Sequence, residues 1–126
     1  MAEHADGARY DAIVMKDYIA QYSDPITLAQ GEAAALDGRA EPWEDNPDWI
    51  WLWGKNARGK SGWIPRPLLR IEGSRGVALE EYDAHELSVA ASKRVSVLRE
   101  ACGWAWCVAD MNRSGWVPLS HLRRAS

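Results

Sequence analysis

The chain has 126 residues, a formal net charge of −3 and a pI near 5.6. That length allows one ordinary domain or two very small ones, and a hydrophobic content of 47% argues against wholesale disorder. There is no basic footprint for nucleic acid, and no apolar run approaches the ~20 residues needed to span a membrane.

Taken from the start, MAEHADGARYDA is polar and unlike a signal peptide, which predicts a flexible tail over residues 1–11 and a cytoplasmic location. Short apolar runs rich in β-formers follow: AIVM (12–15) and ITL (26–28). GEAAAL (31–36) has a helix-like composition but is read as a strand, because it sits where an internal repeat places one. WIWLW (49–53) and GWIP (62–65) are strands joined by GKNARGKSG, a long hairpin connection. IEGSRG (71–76) reads as a linker. Beyond it, RVSVL (94–98) alternates with period two and places Val95 and Val97 on one face. ACGWAWCVA (101–109) is a strand after a glycine turn, and MNRSG (111–115) a tight connection in which Asn and Gly accept positive φ.

The repeat organises these strands. VMKDYIA (14–20) resembles ALEEYDA (78–84), and ITLAQGE (26–32) resembles LSVAASK (87–93). WIWL (49–52) matches WAWC (104–107), and SGWIP (61–65) matches SGWVP (114–118). Four blocks recur in one order, which divides the chain into a first unit over 12–72, a linker over 73–76 and a second unit over 77–124. Strand periodicity groups Ile50 with Leu52, and Ala105 with Cys107, on one face of each strand. Trp49, Trp51 and Trp53 then share the opposite face, as do Trp104, Trp106 and Val108.

Five or so short strands in each unit, an acidic residue followed by Tyr18 or Tyr82, a Trp-x-Trp strand and Gly-Trp-Ile/Val-Pro resemble the Src-homology-3 (SH3) domain in its variant bacterial form. The fold this resemblance implies is all-β, two consecutive SH3-like barrels packed closely through a short linker. The activity it implies is peptide binding, with an extended, proline-rich ligand lying across aromatic rings while an acidic loop holds a basic anchor. Carried across residue by residue, the first unit supplies Tyr18, Trp49, Pro65 and Leu68, with Asp24 or the Glu44–Asp48 run as acidic anchors. The second supplies Tyr82, Trp104, Pro118 and His121, with Glu86 in the corresponding loop. Lys16 and Glu80 stand where the family has its first tyrosine, and Leu68 and His121 where it has its last. The first loop of the second unit is also shorter. The first unit is therefore expected to be the more competent binder, with Trp49→Ala abolishing binding.

Trp51, Trp53 and Trp106 are expected at an interface between the units or in a homodimer, since an exposed tryptophan row is a liability on a monomer. Trp63 and Trp116 are expected to pack beside the groove. No catalytic residue is assigned: Ser120 and His121 are sequence neighbours that diverge along an extended chain, and His85 has only Glu86 beside it. Two cysteines, Cys102 and Cys107, and three scattered histidines make neither a disulfide framework nor a metal site, so no cofactor is expected. The expected partner is a protein or peptide, with no nucleic acid and no membrane. Two further readings stand beside the adaptor: a module for cell-wall peptide or glycan, whose sugar faces suit stacked tryptophans, and a structural assembly domain that uses the Trp stripe as its interface.

Overall fold

Alternating burial along short, β-branched and aromatic segments gives twelve strands and no α-helix among the residues described, 9–125, in the computed structural model. The first half contributes β1 (Tyr10–Val14), β2 (Thr27–Leu28), β3 (Ala33–Pro42), β4 (Ile50–Lys55), β5 (Ser61–Pro65) and β6 (Leu69–Glu72). The second contributes β7 (Arg75–Ala78), β8 (Tyr82–Asp83), β9 (Arg94–Ala101), β10 (Trp104–Val108), β11 (Ser114–Pro118) and β12 (Leu122–Arg124). GEAAAL feeds β3 as a strand. The tail expected over 1–11 lies mostly outside the described residues, and Tyr10 and Asp11 belong to β1. No helix among the described residues is long and apolar enough to cross a membrane.

Two five-stranded antiparallel sheets carry the fold, ordered β11-β10-β9-β1-β12 and β5-β4-β3-β7-β6. The orders correspond strand for strand, except that the opening strand of each half lies in the sheet of the other. Ala12 in β1 is paired with Val95 of β9 and Arg124 of β12, while Val77 in β7 is paired with Ala33 of β3 and Arg70 of β6. The exchange continues just past these strands. Tyr18 bridges to Val89, and β2 pairs with β8 through Leu28–Tyr82 and Thr27–Asp83.

The compact units are accordingly not the sequence halves. One is the continuous segment Ser23–His85; the other joins the chain up to Tyr22 with the chain from Glu86 onward. The boundary expected at 73–76 is a departure with a clear cause. Glu72 pairs directly with Arg75, so Gly73-Ser74 is a two-residue hairpin turn, with Gly73 at φ +63°, rather than a linker. An ion pair from Arg75 to Glu72 reinforces the turn, and with a second from Arg70 it holds the Glu72 carboxyl below the usual range. A turn this short places β7 beside β6 at almost no loop-closure cost, which occupies the position β1 would otherwise take. β1 then completes the second sheet. In topology the segment 23–85 is a circularly rearranged barrel inserted into the first long loop of the other, and the two units are called here the insert and the host.

The host core is Ala12, Val14, Leu87, Val89, Val95, Val97, Ala105, Cys107 and Val117. Each buried valine contributes ~1.5–3 kcal/mol. Ala105 and Cys107 share a face, as period two predicts, and both are buried, as the resemblance implies; Val95 and Val97 share the buried face of β9. Burial pushes the Cys107 thiol up to about 12, so it stays protonated and acts as a small hydrophobe. At the host's edge, Tyr10 donates its hydroxyl to Glu100, and the Arg124 guanidinium lies 3.8 Å from the centre of its ring.

The insert core gathers Ile26, Leu28, Ala34, Ile64, Leu69, Val77 and Ala84. Leu52 pairs with Ile64 and is half-buried. Gly62 permits this closure: a Cβ there would sit 2.9 Å from Ile26 Cγ2 and 3.2 Å from the Ile26 backbone nitrogen. Buried Asn56 closes the β4–β5 loop, donating to Thr27 O (2.9 Å) and accepting from the amides of Arg58 and Lys60 (both 3.0 Å).

Candidate functional site

In the host, one end of the barrel assembles an aromatic cluster from both halves of the sequence. Trp104 opens β10 and stands directly across from Pro118, which ends β11. Pro118 also starts the turn Leu119–His121, since its fixed φ and missing N–H end the strand and suit a 3-10 turn. His121 closes that turn. The chain leaving β1 supplies Tyr18, whose ring meets Trp104 edge-on at 5.6 Å and His121 edge-on at 5.4 Å. Tyr18 is thus shared between two perpendicular neighbours.

Polar bonds hold this segment in place. The Tyr18 hydroxyl donates to Glu86 Oε1 at 2.7 Å, and the Gln21 amide donates to the same oxygen at 2.7 Å. The Ala20 amide donates to Ser88 Oγ and the Ala91 amide to Asp17 Oδ1. The Tyr18 phenol is pushed well above its ordinary range, first by burial and then by its bond to Glu86, so it remains a fixed donor across the accessible pH range. Met15, Ile19 and Tyr22 lie exposed along the same segment.

The insert repeats the arrangement in a more closed form. Trp51 stands across from Pro65, as Trp104 does from Pro118. Tyr82 is 4% exposed and donates its hydroxyl to Trp63 O at 2.7 Å, and Leu68 is buried where the host has half-exposed His121. Asp24, the expected anchor, forms an ion pair with Lys60.

The structure therefore regroups the expected site residues. Tyr18 joins Trp104, Pro118, His121 and Glu86 rather than Trp49, Pro65 and Leu68. Tyr82 joins the insert with Pro65 and Leu68 rather than the host. The position across from Pro65 belongs to Trp51, not Trp49. Trp49 closes the loop before β4 instead, donating its amide to Asn46 O and accepting from the Trp43 amide. The pairing was readable in the spacing, because Trp51 precedes Pro65 by the same interval as Trp104 precedes Pro118. Matching WIWL to WAWC offset it by two residues. The Glu44–Asp48 run is a tight exposed loop in which Glu44 and Asp45 take positive φ.

The remaining tryptophans find ring partners inside their own units. Trp53 meets Trp63 edge-on at 5.1 Å, and Trp106 meets Trp116 at 5.5 Å. The Arg39 guanidinium, oriented by Asp37, lies 4.6 Å from the Trp53 ring centre. Trp63 and Trp116 thus pack against a ring of the neighbouring strand. Among the described residues, no group of three or more His, Cys, Asp or Glu side chains could hold a metal ion, and both cysteines are free thiols.

Residues 12–72 match the family described as the variant SH3 domain, and domains of this kind serve at the family level in protein or peptide binding. No curated protein and no solved structure matches the chain.

Proposed function

We propose, on the premise of the variant SH3 domain at residues 12–72, that the protein is a non-catalytic tandem adaptor whose host groove binds an extended, proline-rich peptide. The observation that carries this reading is the edge-on bracketing of Tyr18 by Trp104 and His121 beside Pro118. Half-buried Tyr18 and His121 offer rigid aromatic surface, held by the edge-on contact of Tyr18 with the buried Trp104 ring, and a polyproline helix packs on such a surface at little entropic cost. The second half supplies most of this groove and reads as a second domain of the same kind. The free thiols accord with a cytoplasmic location.

The host groove ranks above the insert's because Tyr18 and His121 are only half-buried, whereas Tyr82 and Leu68 are buried. Titrating the full chain with an acetylated, amidated oligoproline while following its amide resonances tests the reading. Saturable shifts concentrated at Tyr18, Glu86, Trp104 and His121 are expected. A spectrum unchanged at millimolar peptide contradicts it.

A further inference from the structure

β6 and β12 hold the same place in the two sheets, each beside the opening strand of the other half, and each ends its sheet. They align as Leu69-Arg70-Ile71-Glu72 and Leu122-Arg123-Arg124-Ala125. Ladder geometry fixes which backbone groups each strand turns away from its neighbour. The Leu79 amide donates to Leu68 O, so bonded pairs recur at Arg70–Val77 and Glu72–Arg75. Leu69 and Ile71 therefore turn their N–H and C=O groups outward. The Leu69 N–H is taken by Arg66 O, which leaves Ile71 at the centre of the open edge. Among the described residues no strand pairs with that edge. By the same count, the Met15 amide on His121 O and the Ala125 amide on Asp11 O place Arg124 at the matching point of β12.

The two edges are protected unequally. An open edge is a template for another strand, and a charged residue set on it keeps like copies apart. A second host brought to β12 would meet Arg124 against Arg124. β6 presents Ile71 there instead, an apolar side chain that is 42% exposed. The charges flanking it are of opposite sign. Arg70 and Glu72 lie on one face of the strand, where their side chains form an ion pair at 2.7 Å. In an antiparallel pairing centred on Ile71, Arg70 falls opposite Glu72 of the second copy, and Glu72 opposite its Arg70. One two-fold axis generates both cross-strand pairs, and opposite charges so placed attract. Arg75, the other partner of Glu72, sits on β7, one strand back from this seam.

We infer that β6 is a self-association edge, through which two copies of this chain pair their insert sheets antiparallel about Ile71. At the axis each Ile71 N–H donates to the Ile71 oxygen of the second copy, and the two side chains meet on the face opposite the ion pairs. The pairing joins two five-stranded sheets into one continuous sheet and closes on itself, so it stops at the dimer. A strand of 4 residues buries less than the ~1,200 Å² at which standard interfaces begin, so the dimer is a weak one. The edge belongs to the insert, and the inference stands apart from peptide binding by the host groove.

Sedimentation equilibrium of the full chain from about 10 μM to about 1 mM, the range of a small and weak interface, tests it. A monomer–dimer equilibrium is expected, with the amide resonances of β6 shifting together as concentration rises. Ile71→Lys puts like charges on the axis and is expected to stay monomeric throughout. Arg70→Glu sets carboxylates against each other and is expected to weaken the dimer roughly fivefold or more, while Arg70→Glu combined with Glu72→Arg restores it to within about threefold. Melting curves confirm the fold of each variant, and wild-type resonance shifts decide alone where one melts early. A wild type that is monomeric at the highest concentration overturns the inference. So does association that survives Ile71→Lys in a folded chain, that grows beyond the dimer, or that the double reversal fails to restore. Wild-type shifts that fall outside β6 and its turn overturn it as well.

Discussion

Expressed alone, residues 23–85 will fold cooperatively into a β-barrel, although this segment begins and ends inside what the repeat marks as two different domains. It contains β2 through β8, and with them every strand of the sheet β5-β4-β3-β7-β6. Its core residues Ile26, Ile64, Val77, Tyr82 and Ala84 are all inside the segment, as is the hydroxyl bond from Tyr82 to Trp63. Its two ends meet, since the Ala84 amide donates to Ile26 O at 3.0 Å. The span 12–72 keeps only Ala12, Ile13 and Val14 of β1 and loses β7, β8 and the Gly73-Ser74 turn that delivers them. A barrel of this size has only ~3–5 kcal/mol of net stability from its core, and burial of Val77 alone is worth ~1.5–3 kcal/mol. The 12–72 fragment should therefore melt well below the 23–85 fragment. The complementary chain, Tyr22 joined to Glu86 through a few glycines, should also fold, because the bond from Gln21 N to Glu86 already holds these ends together. Circular dichroism melts of the three proteins decide the matter. A disordered 23–85 beside a well-folded 12–72 would contradict the exchange.

Replacing Trp104 by leucine will weaken oligoproline binding by about thirtyfold, while Trp49→Ala will leave it within about twofold. Leucine keeps an apolar side chain against Pro118 but removes the ring that brackets Tyr18. A central aromatic anchor typically carries ~2 kcal/mol or more of binding energy, which corresponds to that loss. Trp49 belongs to the loop before β4, and its place in the register is not across from Pro65. Calorimetry, with melting curves to verify the fold of each variant, reads both effects. If Trp49→Ala abolishes binding and Trp104→Leu does not, the groove belongs to the insert.

Most strands were legible in the sequence because their causes are local. Alternation marked Val95 and Val97, the Trp-x-Trp strands grouped Ala105 with Cys107, and glycine and asparagine marked the hairpins. Even GEAAAL was recoverable, because the repeat outweighed its helix propensity. What a repeat does not encode is which copy of a strand pairs with which sheet. β1 and β7 are both short and apolar, and either suits either sheet. The decision lies in a single two-residue turn, Gly73-Ser74, whose small polar residues suit a linker as well as a hairpin. That ambiguity carried into the site. Tyr18 and Tyr82 were identified as groove residues by their motifs but were grouped with the partners of their own halves. His121 was recognised as a departure at its position. Its surroundings emerged only with the fold, which sets its Nδ1 3.3 Å from Lys16 O and its ring edge-on to Tyr18.

The most direct measurement is a set of nuclear Overhauser contacts from the Tyr18 ring in the intact chain, at a dilution where it is monomeric. The exchanged arrangement predicts cross-peaks from Tyr18 ring protons to those of Trp104 and His121, whose ring centres lie 5.6 and 5.4 Å away, and from Ala12 to Val95. Cross-peaks from Tyr18 to Trp51 and Pro65, with none to Trp104, would show that each half closes on itself and that no groove is built from both.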